Sequence, residues 1–119
     1  CLLANCDLSN TDLTRADLSE ADLRGAKLVS AVLTGANLRK ADLSPLVLMP
    51  RKAEGKRELL PSDLSGADFT GTAMTEAKLP RAILKGAIFD NATLIRADLE
   101  ECNLNEARFD NANLEGALN

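Results

Sequence analysis

A large apolar residue recurs at every fifth position of this chain. The first run is Leu3, Leu8, Leu13, Leu18, Leu23, Leu28, Leu33, Leu38 and Leu43. After a break the run resumes one residue out of phase as Leu64, Phe69, Met74, Leu79, Leu84, Phe89, Leu94, Leu99, Leu104, Phe109 and Leu114. Two positions before these twenty residues stand fourteen Ala, three Cys, two Thr and one Ser. A five-residue period matches neither the roughly 3.6-residue turn of a helix nor the two-residue alternation of a long strand. Fixed self-similarity of this kind predicts stacked repeats.

A short extended piece followed by a turn accounts for the period. Residues at i and i−2 point the same way off an extended backbone, so each repeat sends one large and one small side chain inward. Two large residues would overfill that space. The positions after each large residue hold pairs such as Ser9-Asn10, Ser19-Glu20 and Thr34-Gly35, residue types that bend readily or hydrogen-bond locally. Four such turns close one square coil of twenty residues, with each coil pairing backbone-to-backbone with the next. The three Phe residues support that count, because Phe69, Phe89 and Phe109 are spaced by twenty and would stack as one ladder. Scattered over the central positions of the second run, they would share a face in about 2 per cent of placements. Leu18, Leu38, Phe69, Leu84, Phe89 and Phe109 are the expected core.

Segments such as Ala16-Asp17-Leu18-Ser19-Glu20, Ala36-Asn37-Leu38-Arg39-Lys40 and Ala112-Asn113-Leu114-Glu115-Gly116 resemble the A(D/N)LXX motif of pentapeptide-repeat proteins. The likeness covers residues 1–45 and 62–119. It implies an all-β fold, a right-handed quadrilateral parallel β-helix, here with about five to six coils and one mid-body loop. It also implies a binding or structural module rather than an enzyme. In aspect the chain is similar to cyanobacterial members without an assigned role more than to those conferring antibiotic resistance.

The break lies at residues 46–61. Leu46–Pro50 can be read as a degenerate repeat with Leu48 inward, although Leu46 is large for a small position. On that reading a single repeat domain spans 1–119, with a first block 1–50, an inserted loop 51–61 and a second block 62–119. Phe69 would then continue the face of Leu18 and Leu38, and Leu64 that of Leu13 and Leu33. If all sixteen residues leave the coil, the faces rotate by one. Glu54–Leu60 could supply a turn of helix, which Gly55 weakens. The loop carries Arg51, Lys52, Lys56 and Arg57 against Glu54 and Glu58, a net of +2, so the remaining shaft stands at −6. Insertions in repeat proteins often lie on the binding face, though a solenoid also tolerates a loop cheaply.

Charge narrows the function classes. Asp7, Asp12, Asp17, Asp22, Asp42, Asp63, Asp68 and Asp98 stand immediately before large residues, where turn hydrogen bonding and solubility explain them. A sharper alternative is a negative column imitating a nucleic-acid backbone, as in relatives that protect DNA gyrase. Interleaved Arg and Lys and a net charge of only −4 weigh against it. The same position is apolar at Val32, Val47, Ala73, Ile83 and Ile88. With Val32 and Ile83 on one face and Ile88 on the next, these would form a patch beside the basic loop. The partner-binding candidates are therefore Arg51, Lys52, Lys56, Arg57, Val32, Ile83 and Ile88.

Catalysis finds no foothold: the chain has no His, Tyr or Trp, no phosphate-binding glycine loop and no nucleophile beside a base. No metal or cofactor is expected, since Cys1, Cys6 and Cys102 are isolated in small inward positions and read as packed thiols. Three separate thiols suit a reducing compartment. With no secretory signal and no long apolar stretch, a cytoplasmic protein without membrane insertion is expected. Acidic balance and the lack of aromatics outside the core disfavour direct nucleic-acid binding. The expected function is a noncatalytic protein-interaction or structural scaffold, with a protein partner. Alternatives are a DNA-mimicking regulator of gyrase or a similar enzyme, and a spacer within a larger protein. Repeats that end without caps also leave room for an end-to-end homodimer.

Overall fold

The computed structural model describes residues 3–48 and 58–118. The chain is a solenoid β-helix, built from single parallel bridges rather than long strands. The bridges form four ladders, one of which runs Asp12, Val32, Asp68, Ile88, Arg108. Neighbours in a ladder are 20 residues apart except across the break, where Lys27 pairs with Asp63 and Val32 with Asp68.

Each repeat closes with a β-turn. The small residue's N–H donates to the preceding large residue's carbonyl, as from Ala16 to Leu13 at 2.9 Å. The third residue of each described turn has positive φ, from 57° to 62° at non-glycine residues such as Asn5, Arg15 and Glu76, and 66° to 70° at glycines. Left-handed backbone in that place is the signature of a type II turn. Axial bonds then join successive levels. Leu8 N–H donates to Lys27 O at 2.7 Å, Asn10 to Val29 at 2.9 Å, and Lys27 N–H returns to Cys6 O at 2.8 Å.

Large and small inward residues fill the column. Leu38, Phe69 and Leu84 are fully enclosed, as is Phe89, and Leu18 is buried. Phe109 is half-buried. The Phe rings stack in one ladder, with centroids 4.8 Å apart for Phe69–Phe89 and 5.0 Å for Phe89–Phe109, nearly parallel at 4° and 3°. These separations follow the spacing of hydrogen-bonded strands, about 4.8 Å. Polar residues in small positions satisfy themselves on backbone: Thr72 Oγ1 donates to Leu33 O at 2.9 Å and Ser62 Oγ to Leu23 O at 3.3 Å.

At the break, β1 (Leu46–Leu48) pairs antiparallel with β2 (Glu58–Leu60), setting Leu46 opposite Leu60 and Val47 opposite Leu59. This corrects the expectation that Leu46–Pro50 is a degenerate repeat within a first block reaching residue 50. Leu46–Leu48 belong to the excursion, and residues 58–60 of the segment considered for a helical turn are strand. Met49 and Pro50 lie outside the described residues. The register shifts accordingly. Phe69 continues the face of Leu13 and Leu33, and Leu64 that of Leu8 and Leu28, as the Val32–Asp68 and Lys27–Asp63 bridges require.

The cause is Pro45. It falls on the third turn position, which elsewhere needs φ near +60°, whereas the pyrrolidine ring holds φ near about −65°. The turn after Leu43 and Ser44 cannot close, and Leu46 is too bulky for the small position that would follow. Ser62 takes that position instead, wholly enclosed, with its hydroxyl accepting from Gly25 N–H at 3.1 Å.

Candidate functional site

The excursion makes one corner of the solenoid unlike all the others. Its base is seated against Gly25, where an added Cβ would lie 2.8 Å from Leu46 Cβ and 3.3 Å from both Leu60 Cδ2 and Leu60 O. Leu46 and Leu60 face each other across the ladder and so share that side of the ribbon. Leu59 points to the opposite side and is 40% exposed. There it lines a groove of about 350 Å³ with Pro45, Pro80, Arg81, Glu100 and Glu101. Pro80 occupies the second position of its turn, the place that suits proline's φ. Arg81 follows in the left-handed position and its Nε donates to Glu101 Oε2 at 3.2 Å.

The structure places Val32, Ile83 and Ile88 on two adjacent faces, as expected from sequence, but exchanges the two isoleucines. Val32 and Ile88 share a ladder but Asp68 stands between them, while Ile83 sits in another ladder between Asp63 and Asn103. This reverses the expected placement of Val32 with Ile83, and the shifted register is the reason. Val32 is 37% exposed, and Ile83 and Ile88 are half-buried. Arg51, Lys52, Lys56 and Arg57 lie outside the described residues. Sequence reasoning did not single out Leu59, Pro80 or Glu100. The available signal was Pro45 at the third turn position after Leu43, where the described turns need positive φ.

The acidic positions before the large residues are occupied locally. All eleven Asp and Asn residues there accept the N–H two residues on, among them Asp7 from Ser9 at 3.0 Å, Asn37 from Arg39 at 3.1 Å and Asp98 from Glu100 at 3.0 Å. Hydroxyl donors at Ser9, Thr14 and Ser19 hold Asp7, Asp12 and Asp17 below the ordinary carboxylate range, and the Arg24 side chain does so for Asp22. Arg108 lies 3.1 Å from both Asp90 and Asp110, and Arg96 is 3.2 Å from Glu76. Burial pushes the Cys102 thiol up to about 11, so it is a neutral donor, 2.7 Å from Leu79 O. Among the described residues no cluster of three or more His, Cys, Asp or Glu is placed to hold a metal ion. The described residues include no helix long and apolar enough to cross a membrane.

Comparison with known proteins agrees with the architecture. The family profile described as pentapeptide repeats matches in eight copies over residues 6–44, 62–100 and 87–118. A crystal structure of a pentapeptide repeat protein from the cyanobacterium Cyanothece is 31% identical, with TM-score 0.74, covering 90% of this chain and 63% of the other. One from the thylakoid lumen of Arabidopsis thaliana is 29% identical, again with TM-score 0.74 and coverages of 90% and 63%. The chain thus spans less than two thirds of the length of either. No curated protein matches significantly. Ladders of bridges, left-handed turns and matching repeats lead to one assignment: the chain belongs to the pentapeptide-repeat family.

Proposed function

We propose that the chain is a noncatalytic protein-interaction or scaffold module whose shaft presents the β1–β2 ribbon as its contact element. The shaft would be a right-handed, four-sided β-helix of about five twenty-residue coils, with residues 45–61 inserted at one corner. The observation that carries this reading is a ribbon with apolar residues on both sides, one side packed on the shaft at Gly25 and the other left partly open at Leu59. Leu46 and Leu60 are seated on Gly25, whereas Leu59 is exposed. A ribbon serving only as a loop closure would carry polar residues on its outer side.

DNA mimicry is less well supported. The carboxylates of the ladders already accept turn N–H groups, and Arg96 and Arg108 neutralise Glu76, Asp90 and Asp110. Free cysteines at Cys6 and Cys102 favour a reducing compartment.

Replacing residues 45–61 with one glycine restores the ordinary turn sequence between Ser44 and Ser62 and tests the reading. Affinity capture should recover a partner with the intact chain and lose it with this variant, while circular dichroism keeps the β signal. Equal recovery by both would refute the ribbon as contact element. Dose-dependent inhibition of gyrase supercoiling by both forms would favour the DNA-mimic alternative.

A further inference from the structure

We propose that the groove between the ribbon and the Pro80 corner docks an extended segment of a protein partner carrying an aliphatic side chain beside a basic one. The proposal rests on the reading of the chain as an interaction module and gives that module's partner a chemistry. Strand alternation sends Leu60 toward Gly25 and Leu59 away from it, so Leu59 forms one wall of the groove. Pro45 and Pro80 supply the neighbouring apolar surface. Neither proline has an N–H to donate, so this surface selects by apolar fit. A space of about 350 Å³ takes an aliphatic side chain together with part of its backbone.

The rim decides the charge of the occupant. Arg81 is engaged by Glu101 at 3.2 Å, and among the described residues Glu100 makes no ion pair, so the described rim residues sum to one negative charge. The chain as a whole carries the same sign, a net −4 with the basic insertion included. A Lys or Arg next to the aliphatic anchor is attracted by both, while an acidic segment or a nucleic-acid phosphate is repelled. Apolar burial then holds the segment and charge orients it.

Synthetic peptides supply the probe: an acetylated, amidated Gly-Ser-Lys-Leu-Lys-Ser-Gly, a second with Glu for both Lys, and a third with Gly for Leu. Titrations are followed by methyl and amide NMR of the full chain. The first peptide should shift the Leu59 methyls and the Glu100 amide saturably, with the other two at least about tenfold weaker, one decade in the dissociation constant. Leu59→Ser and Glu100→Gln should each weaken the first peptide and leave the resonances of buried residues in place. Saturable shifts that avoid Leu59, equal binding of the Glu peptide, or no saturable shift at millimolar peptide would each overturn the proposal. Failure here is separable from failure of the module reading. If the glycine-bridged chain loses its partner while Leu59→Ser and Glu100→Gln retain it, the ribbon is the contact element and this groove is not.

Discussion

Four of the five N–H groups in a repeat bond to backbone: one closes the turn and three run along the axis. The fifth belongs to the residue after the large one, and where Asp or Asn stands two places earlier, its side chain accepts it. That bond explains the acidic ladders without invoking a ligand, since Asx side chains cap turns in this way. It also gives them a pH dependence. The carboxyls of Asp7, Asp12, Asp17 and Asp22 titrate below the ordinary Asp range in the folded chain. The unfolded chain therefore takes up protons first as pH falls. Their contribution is complete above the ordinary Asp value of about 3.9 and is lost as pH drops through the lower folded values. Thermal melting should show a falling Tm below about pH 4, less steeply after Asp12→Asn and Asp17→Asn, which keep the bond without the titration. The core answers to volume instead. Leu84 is fully enclosed, so Leu84→Ala should cost about 2–5 kcal/mol in chemical denaturation, and an equally stable Leu84→Asp would contradict its inward placement.

Among elements, the turn is the one whose chemistry discriminates. Its third position holds Asn, Arg, Glu, Ser, Lys or Gly, all at positive φ in the described repeats, and never a β-branched residue. Pro45 is incompatible with it, and there the chain departs into β1 and β2. Glycines in this position are not equivalent. Gly86 has open space where a Cβ would go, whereas at Gly25 that atom would meet Leu46 Cβ at 2.8 Å and the Leu60 carbonyl at 3.3 Å. Gly86→Asn should thus change Tm little, since Asn91 and Asn111 adopt the same φ. Gly25→Asn should lower it by several degrees, about 1–3 kcal/mol, by unseating the ribbon. Equal melting of the two variants would deny that Gly25 is the ribbon's seat. The repeat itself and the Phe ladder were legible in the sequence because both are periodic. The ribbon was not: Leu46-Val47-Leu48 reads equally as a broken repeat or a strand, and only the turn geometry at Pro45 separates the two.

At the scale of the molecule the shaft is a one-dimensional stack in which each level bonds only to its neighbours, so its stability is a sum of levels and interfaces. Such a stack can interrupt one corner without disturbing the ladders, provided the chain re-enters at the next small position. Ser62 does so, and bonds at 2.7–3.0 Å from Leu28 N–H to Asp63 O and from Asp63 N–H to Ala26 O carry the pairing across the break. Five-residue counting could not choose the register because every face offers the same leucine column. The choice decides which surface residues become neighbours, and with the shifted faces Val32 shares its ladder with Ile88 rather than with Ile83. The central claim is the register of the shaft across the break, with Lys27 beside Asp63 and Val32 beside Asp68. Paired cysteines in a chain freed of its native thiols by Cys→Ala changes test it directly. Adjacent strands lie about 4.8 Å apart, within disulfide reach of about 4.4–6.8 Å between Cα atoms. Val32→Cys with Asp68→Cys should oxidise to an intramolecular disulfide, seen as blocked thiols by mass spectrometry, and Val32→Cys with Asp63→Cys should not. The opposite result would return Leu46–Pro50 to the coil and remove the ribbon from its corner.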